Sequence, residues 1–347
     1  MTRKINWGVI GSGGIARRRT IPEGIVAGSN AQLRIVYDVV SAANEEVAGE
    51  FGVPAARDLD ELLNSDVDAV YVATPAHLHR EHVIACAQAG KHVLCEKPLG
   101  LSVAEAETMI AACQAANVQL GCALMMRFHS QHQAALRLIQ QGKLGSPVYA
   151  RAQLSCWYPP IPGAWRQNAD LGGGGSLMDL GGHCIDLLEM FFGHITRVSC
   201  FINNTVHHYG SEDSATAILR FRNGALASVD TFFCIQDASS KNVLELYGSK
   251  GSILAQGTIG QGMAGEMVAY LQEEDAAYEA RQNRTDGAGL RITPPPRNMY
   301  QAEIEEFGES LLEGRDCQIA GSIGLRSQRI LSACYESAQS GRAVDLK

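Results

Sequence analysis

Asp179 and His183 stand four residues apart in GGGGSLMDLGGHCID, the spacing that puts two side chains on one face of a helical turn. A carboxylate and an imidazole so placed can position a substrate hydroxyl and take its proton. Four glycines, Gly172 to Gly175, run ahead of the pair, and Gly181-Gly182 lies inside it. A helix formed only for packing would seldom open this way, because glycine weakens helices and Asp and His bring little apolar surface. A second chemically dense stretch is KHVLCEKPLG. Val93, Leu94 and Cys95 read as a buried strand, closed by a carboxylate (Glu96), an ammonium (Lys97) and a residue that fixes the backbone (Pro98). A positive charge held stiffly at a strand end suits an oxygen that gains negative charge during a reaction.

Two further clusters carry weaker signals. Trp157, Tyr158, Trp165 and Arg166 fall in SCWYPPIPGAWRQN, where an aromatic wall would match the apolar faces of a sugar ring and Arg166 its hydroxyls. Covering an edge between domains is the competing explanation for that loop. His77, His79 and His82 in HLHREH invite a metal site, but no Cys or carboxylate set stands at ligand spacing, and no metal is expected.

The elements around these residues alternate in type. The apolar run Ile5 to Ile10 leads into Gly11-Ser12-Gly13-Gly14-Ile15-Ala16, of the form G-x-G-x-x-A. Such glycines allow a tight turn and let a pyrophosphate approach backbone amides at a helix start. QLRIVYD then ends in Asp38, 22 residues past Ala16. A carboxylate there accepts from both ribose hydroxyls of NAD and repels the 2′-phosphate of NADP. Against NAD stands the run Arg17-Arg18-Arg19, in a helix that Pro22 is expected to stop early. DAVYVATP, HVLCEKP and VQLGCAL continue as strands, separated by the helical patterns LDELLNS, REHVIACAQAG and SVAEAETMIAACQAAN, the last with a Ser102/Glu105 capping box. Strand and helix at these intervals predict a parallel sheet with helical crossovers, whose ligand lies outside the carboxyl ends of the strands. Gly11 to Gly14, Asp38, Thr74-Pro75 and Glu96-Lys97-Pro98 all sit at those ends and therefore line one crevice.

Beyond residue 122 the texture changes. GSPVYARAQLSCW, ITRVSCFINN, SATAILRFRNGALASVDTFF and NVLELYGSKGSIL alternate at strand period, with turns at Asn223-Gly224 and Gly248. Two helical patterns close the chain. The fold class is thus an α/β Rossmann domain, residues 1–122, followed by an α+β domain with an open, mostly antiparallel sheet, residues 123–347. The chain's 347 residues fit two domains. Its net charge of −8, without a basic run, argues against nucleic acid or an anionic membrane as partner. The short apolar start is neither a signal peptide nor a membrane span, and the ten scattered cysteines read as reduced thiols, so a cytoplasmic location is expected.

The glycine loop, DAVYVATP with LHREH, GKHVLCEKP and GGGGSLMDLGGHCID resemble, in this order, the motifs of the Gfo/Idh/MocA family, the glucose–fructose oxidoreductase and inositol dehydrogenase group. The resemblance runs from Ile5 to the last helix. It implies an oxidoreductase that moves a hydride between NAD(P) and one carbinol of a sugar, polyol or cyclitol, and Asp38 favours NAD over NADP. It also implies a homo-oligomer, a dimer or tetramer, associating through the open sheet. The family's catalytic trio falls on Lys97, Asp179 and His183, with the base either His183 or Lys97. The expected cofactor contacts are Gly11, Ser12, Gly13, Gly14, Ile15, Asp38, Thr74, Pro75, His79, Glu96 and Lys97. Arg127, in MMRFHS, joins Trp165, Arg166 and the trio as a candidate substrate contact. The sequence departs from the family where Asn often follows Thr-Pro; here it is Ala76. Two alternatives share the scaffold: a glycosidase or lyase that oxidises its substrate transiently with tightly bound NAD, and a non-enzymatic sensor, which tends to lose the Lys or His present here.

Overall fold

In the first sheet, apolar runs stack in register because both of their faces are covered. The computed structural model describes residues 3–272, 280 and 289–346. Strands β1 (Ile5–Ile10), β2 (Ala31–Tyr37), β3 (Ala69–Val72), β4 (His92–Glu96) and β5 (Leu120–Ala123) pair in parallel in the order β2-β1-β3-β4-β5. All of β3 and the middle of β4 are buried, as a parallel sheet with helices on both sides requires. Helices His79–Gln88 and Val103–Ala115 make two of the crossovers. Ser102 caps the second by accepting from the Glu105 amide, while the Glu105 carboxylate reaches the Leu101 amide.

One expectation fails next to the glycine loop. Pro22 does not end the first helix; it lies inside a wide, π-type helical segment, Ala16–Val26. The wider turn relieves the clash between a proline ring and the carbonyl four residues back. The three arginines consequently diverge. Arg17 pairs with Glu46 and Glu50, both at 2.8 Å, and Arg19 with Glu23 at 2.6 Å, whereas Arg18 is exposed at the cleft.

The second sheet comprises β6 (Pro147–Ser155), β7 (Ile195–Asn203), β8 (Ser214–Phe221), β9 (Leu226–Phe232), β10 (Val243–Gly248), β11 (Gly251–Gln256), β12 (Glu266–Leu271), β13 (Leu290–Arg291) and β14 (Val344–Asp345). Among the described residues its order is β13-β12-β11-β10-β6-β9-β8-β7-β14. Every pairing is antiparallel except β6 with β9. Asn223 and Gly224 turn β8 into β9: Gly224 has φ +92°, and the Asn223 side chain accepts from the Ala225 amide at 3.0 Å. Helices Gly182–Phe192 and Gly321–Ser340 pack against this sheet and bury its inward residues.

A cut at residue 122 falls one residue before the end of β5, and it does not divide the two cores. Helix Met299–Glu313 returns to the first domain, where Ile304 and Phe307 are fully buried and Phe307 meets Trp7 with ring centroids 5.7 Å apart. That return brings residues near the C-terminus to the floor of the cleft between the domains.

Candidate active site

The cleft runs along the carboxyl ends of β1 to β4 and under the second domain, with a volume of about 1220 Å³. At one end lies the glycine loop. Gly11 has φ +78°, and a Cβ there would stand 2.8 Å from the backbone of Ala73 and Thr74, so only glycine lets β1 and β3 approach so closely. The Ser12 hydroxyl is buried beneath the loop without a partner. Asp38 lines the cleft beside the loop; its Oδ2 accepts from the Gly13 amide at 3.1 Å and its Oδ1 from the Val40 amide at 3.0 Å. A glycine turn without room for Cβ, an orphaned hydroxyl and a carboxylate at the next strand end fit the phosphates and ribose of a dinucleotide.

At the other end the two domains meet through charge. Lys97 Nζ donates to Asp179 Oδ1 at 2.7 Å and to the Asp179 main-chain oxygen at 2.9 Å. Arg166 Nε donates to the same Oδ1 at 3.0 Å, and its guanidinium lies over the Trp165 ring, 4.2 Å from the centroid. Burial pushes the Asp179 carboxyl up, but the Lys97 and Arg166 charges outweigh it and hold the group well below the usual carboxylate range. Asp179 is therefore charged, and it is committed to two cations.

His183 lines the same cleft and is 5% exposed, with Nδ1 buried and unpartnered, which leaves Nε2 to meet a ligand. Burial, and then the Lys97 charge, lower its pKa to about 3, so the ring is neutral at physiological pH. The four-residue spacing does not bring Asp179 into a hydrogen bond with this imidazole, whose Nδ1 is unpartnered. The wide turn Leu177–Gly181 carries Asp179, while His183 sits in the regular helix Gly182–Phe192 that follows. The glycine run ahead of them has a packing reason. A Cβ on Gly174 would overlap the Tyr335 hydroxyl, and one on Gly175 the Glu212 carbonyl. Glu212 accepts from the amides of Gly175 and Leu177 at 2.8 and 2.9 Å, and Tyr335 donates to it at 2.9 Å. Glu212, which no motif singles out, thus anchors the loop that delivers Asp179.

Arg127 and His79, both expected in the cleft, do not line it. Arg127 forms a bidentate pair with Asp186, with contacts of 2.7 to 2.9 Å. Met125 and Met126 of the same segment line the cleft instead. His79 is 1% exposed, its Nδ1 2.9 Å from the Pro98 carbonyl and its Nε2 2.9 Å from the Thr74 carbonyl. It braces the two strand-end turns from behind, where burial lowers its pKa to about 4. Its neighbours His77 and His82 do line the cleft. Among the described residues no group of three or more His, Cys, Asp or Glu side chains is placed to hold a metal ion, and no helix is long and apolar enough to cross a membrane. Trp157 turns away to pack edge-on against His207 at 4.8 Å, whereas Tyr158, Trp165 and Arg166 line the cleft.

Residues 5–124 match the model of an oxidoreductase family with an NAD-binding Rossmann fold, and residues 132–254 match the GFO/IDH/MocA C-terminal domain. The chain belongs to the Gfo/Idh/MocA family. This family member is 31% identical to D-xylose 1-dehydrogenase (NADP(+)) 2 of Haloferax volcanii, over 98% of its own length and 99% of that protein's. It is 28% identical to 1,5-anhydro-D-fructose reductase of Ensifer adhaerens, over 98% of each chain. The crystal structure of aldose-aldose oxidoreductase from Caulobacter crescentus, complexed with glycerol, superposes with a TM-score of 0.88 at 28% identity, covering 99% of this chain and 100% of that one. These relatives carry the names of oxidoreductases, and no glycosidase or lyase stands among them.

Proposed function

We propose that this family member is a dehydrogenase that oxidises, reversibly, one carbinol of an uncharged sugar, polyol or cyclitol, with NAD preferred to NADP. The observation that carries this reading is the Lys97–Asp179 contact at 2.7 Å, which joins the strand end of one domain to the loop of the other beside a neutral His183. When bound, the cofactor supplies the two-electron acceptor for the hydrogen on the carbinol carbon. The protein supplies the rest. Lys97 spends two of its three N–H groups on Asp179, so the third is free to face a substrate oxygen as negative charge develops. His183, neutral and reached through Nε2, takes the hydroxyl proton. Asp179 holds the Lys97 ammonium in place, and Trp165 with Arg166 closes the side of the site. Both cations at this end already share Asp179, which favours a substrate without a carboxylate or phosphate of its own. The related structure bound to glycerol supports a polyhydroxylated ligand. A panel of neutral sugars, polyols, cyclitols and glycosides, followed by the absorbance of reduced nicotinamide, tests the reading. Reduction with at least one carbinol is expected, and activity confined to acidic or phosphorylated compounds would refute it.

Asp38 supports NAD; Arg18 lies at the same end of the cleft and, among the described residues, forms no ion pair, unlike Arg17 and Arg19. Titration of both cofactors against tryptophan fluorescence is expected to give tighter binding of NAD. Tighter binding of NADP would transfer the selecting role from Asp38 to Arg18. For the sugar end, Trp165→Ala removes the ring that holds Arg166 in place. It is expected to raise the substrate KM and leave cofactor affinity nearly unchanged; normal kinetics with a lowered Tm would reduce the loop to a cover. Phe201, Ile218 and Leu226 are exposed on the uncovered face of the second sheet, which supports self-association there, as a dimer or tetramer measurable by sedimentation.

A further inference from the structure

Behind Lys97 the cleft floor holds two carboxyl groups that the reaction above does not use. Glu96 ends β4, and Glu303 comes from the returning helix Met299–Glu313; both line the cleft. Glu303 is 1% exposed and its Oε1 has no hydrogen-bond partner. Tyr300, about one turn earlier on the helix, is 3% exposed, also lines the cleft, and its hydroxyl is equally unpartnered. Polar atoms this deeply buried are normally satisfied, so these two mark a place prepared for a ligand's polar groups. Glu96 is engaged on both oxygens: the Tyr71 hydroxyl, which itself accepts from Thr20, donates to Oε1, and the Lys97 amide donates to Oε2.

The charges around the two acids do not cancel theirs. Glu303 faces Glu96 from β4, Asp186 from helix Gly182–Phe192 and Glu306 from its own helix, all acidic. The nearby cations are committed elsewhere: Arg127 to Asp186, Arg315 to Glu306 and Arg19, which faces Tyr300, to Glu23. Lys97 and Arg166 act on Glu96 but are hydrogen-bonded to Asp179. Burial pushes both carboxyls upward; at Glu96 the Lys97 charge and the Tyr71 hydroxyl partly offset it, whereas at Glu303 the Glu96, Asp186 and Glu306 charges add to it and the Leu124 amide opposes it. Two such acids titrate as a pair, and the pair retains a proton under conditions where a solvated carboxyl has lost it.

Resting on the cofactor reading above, we propose that Glu96 and Glu303 hold one proton between them and thereby distinguish the oxidised from the reduced cofactor. With the glycine loop and Asp38 holding the phosphates and a ribose, the Lys97 end of the cleft, floored by Glu96 and Glu303, would hold the redox-active ring. The oxidised ring carries a positive charge and the reduced ring does not. A cation beside the pair favours its ionised form, and the proton leaves to bulk water; the neutral ring gives no such drive. The sign follows: affinity for the oxidised cofactor rises with pH, by roughly tenfold per unit while the free protein holds the proton and the complex does not. Affinity for the reduced cofactor stays flat over the same range.

Calorimetric titration of the full chain with NAD⁺ and with NADH, in buffers of different ionisation enthalpy, counts the protons directly. Release of roughly one proton on binding NAD⁺ and none on binding NADH is expected, with Glu303→Gln and Glu96→Gln each losing the release and flattening the pH dependence. The contrast between the two redox forms in the wild-type protein needs no variant and survives a failure of either variant to fold. Equal release with both forms, or undiminished release in folded Glu303→Gln, overturns the inference and leaves the cofactor reading intact. Binding of neither dinucleotide overturns both.

Discussion

Replacing Lys97 by alanine is expected to lower kcat at least about a hundredfold while cofactor affinity stays nearly unchanged, the usual scale for losing one preorganised stabiliser of a developing oxyanion. The glycine loop, Asp38 and the Thr74 turn do not depend on the Lys97 side chain, whereas the carbinol oxygen loses its only uncommitted N–H from that residue. His183→Ala should fall by a comparable factor. The double variant should fall by much less than the product, because the two side chains act in one step. The pH profile adds an independent sign. In the free wild-type protein His183 has a pKa of about 3, set by burial and then by the Lys97 charge, so kcat/KM should show no acidic limb near the ordinary histidine value. Removing the ammonium relieves one of those two causes, and the residual activity of Lys97→Ala should acquire an acidic limb at higher pH than wild type. Full turnover by Lys97→Ala would reduce the lysine to a fixture of the cleft.

Asp179→Asn carries the largest expected loss of stability. It keeps the side chain's shape but leaves Lys97 and Arg166, 13% and 33% exposed, without their shared counter-charge. Breaking a fully buried pair costs about 3–5 kcal/mol, and partial exposure of Arg166 moves the expectation to about 2–4 kcal/mol at neutral pH. The folded-state pKa of Asp179 is depressed, so its contribution is present above the unfolded carboxyl value of about 4 and is lost as pH falls below it. Denaturant unfolding of both proteins should therefore show a gap at neutral pH that narrows in acid. A gap independent of pH would assign the loss to packing instead of charge.

The parts of the site that were legible in the sequence are those fixed by local backbone demands. A glycine turn after an apolar run, a carboxylate closing the next strand and Glu-Lys-Pro closing a later one all reach the same cleft, because a parallel sheet collects its strand ends on one side. Side-chain direction was much less legible. Arg127 sits in a segment that lines the cleft, yet it turns to Asp186, an acid three residues past His183 that offered the available hint of a partner. His79 follows a strand-end turn but points behind it, since both of its nitrogens find carbonyls there. Pro22 was misleading because the breaker rule holds for a regular α-helix and this segment is wound more widely. Tyr300, Glu303 and Glu212 carried no local signal at all. Their importance depends on contacts with residues far away in the chain, such as Glu212 with Tyr335 and Gly175, and a pattern read within one helix or strand does not contain them.

The most direct test follows the hydrogen itself. The best substrate from the neutral panel, carrying deuterium on its reacting carbinol carbon, is turned over by wild-type protein with oxidised cofactor, and the recovered dinucleotide is weighed by mass spectrometry. Direct transfer between a carbinol and nicotinamide, with only the hydroxyl proton passing to the protein, predicts a reduced dinucleotide carrying one deuterium from each substrate molecule oxidised. Deuterium lost to water, or retained in a product formed while the free dinucleotide stays oxidised, would contradict it.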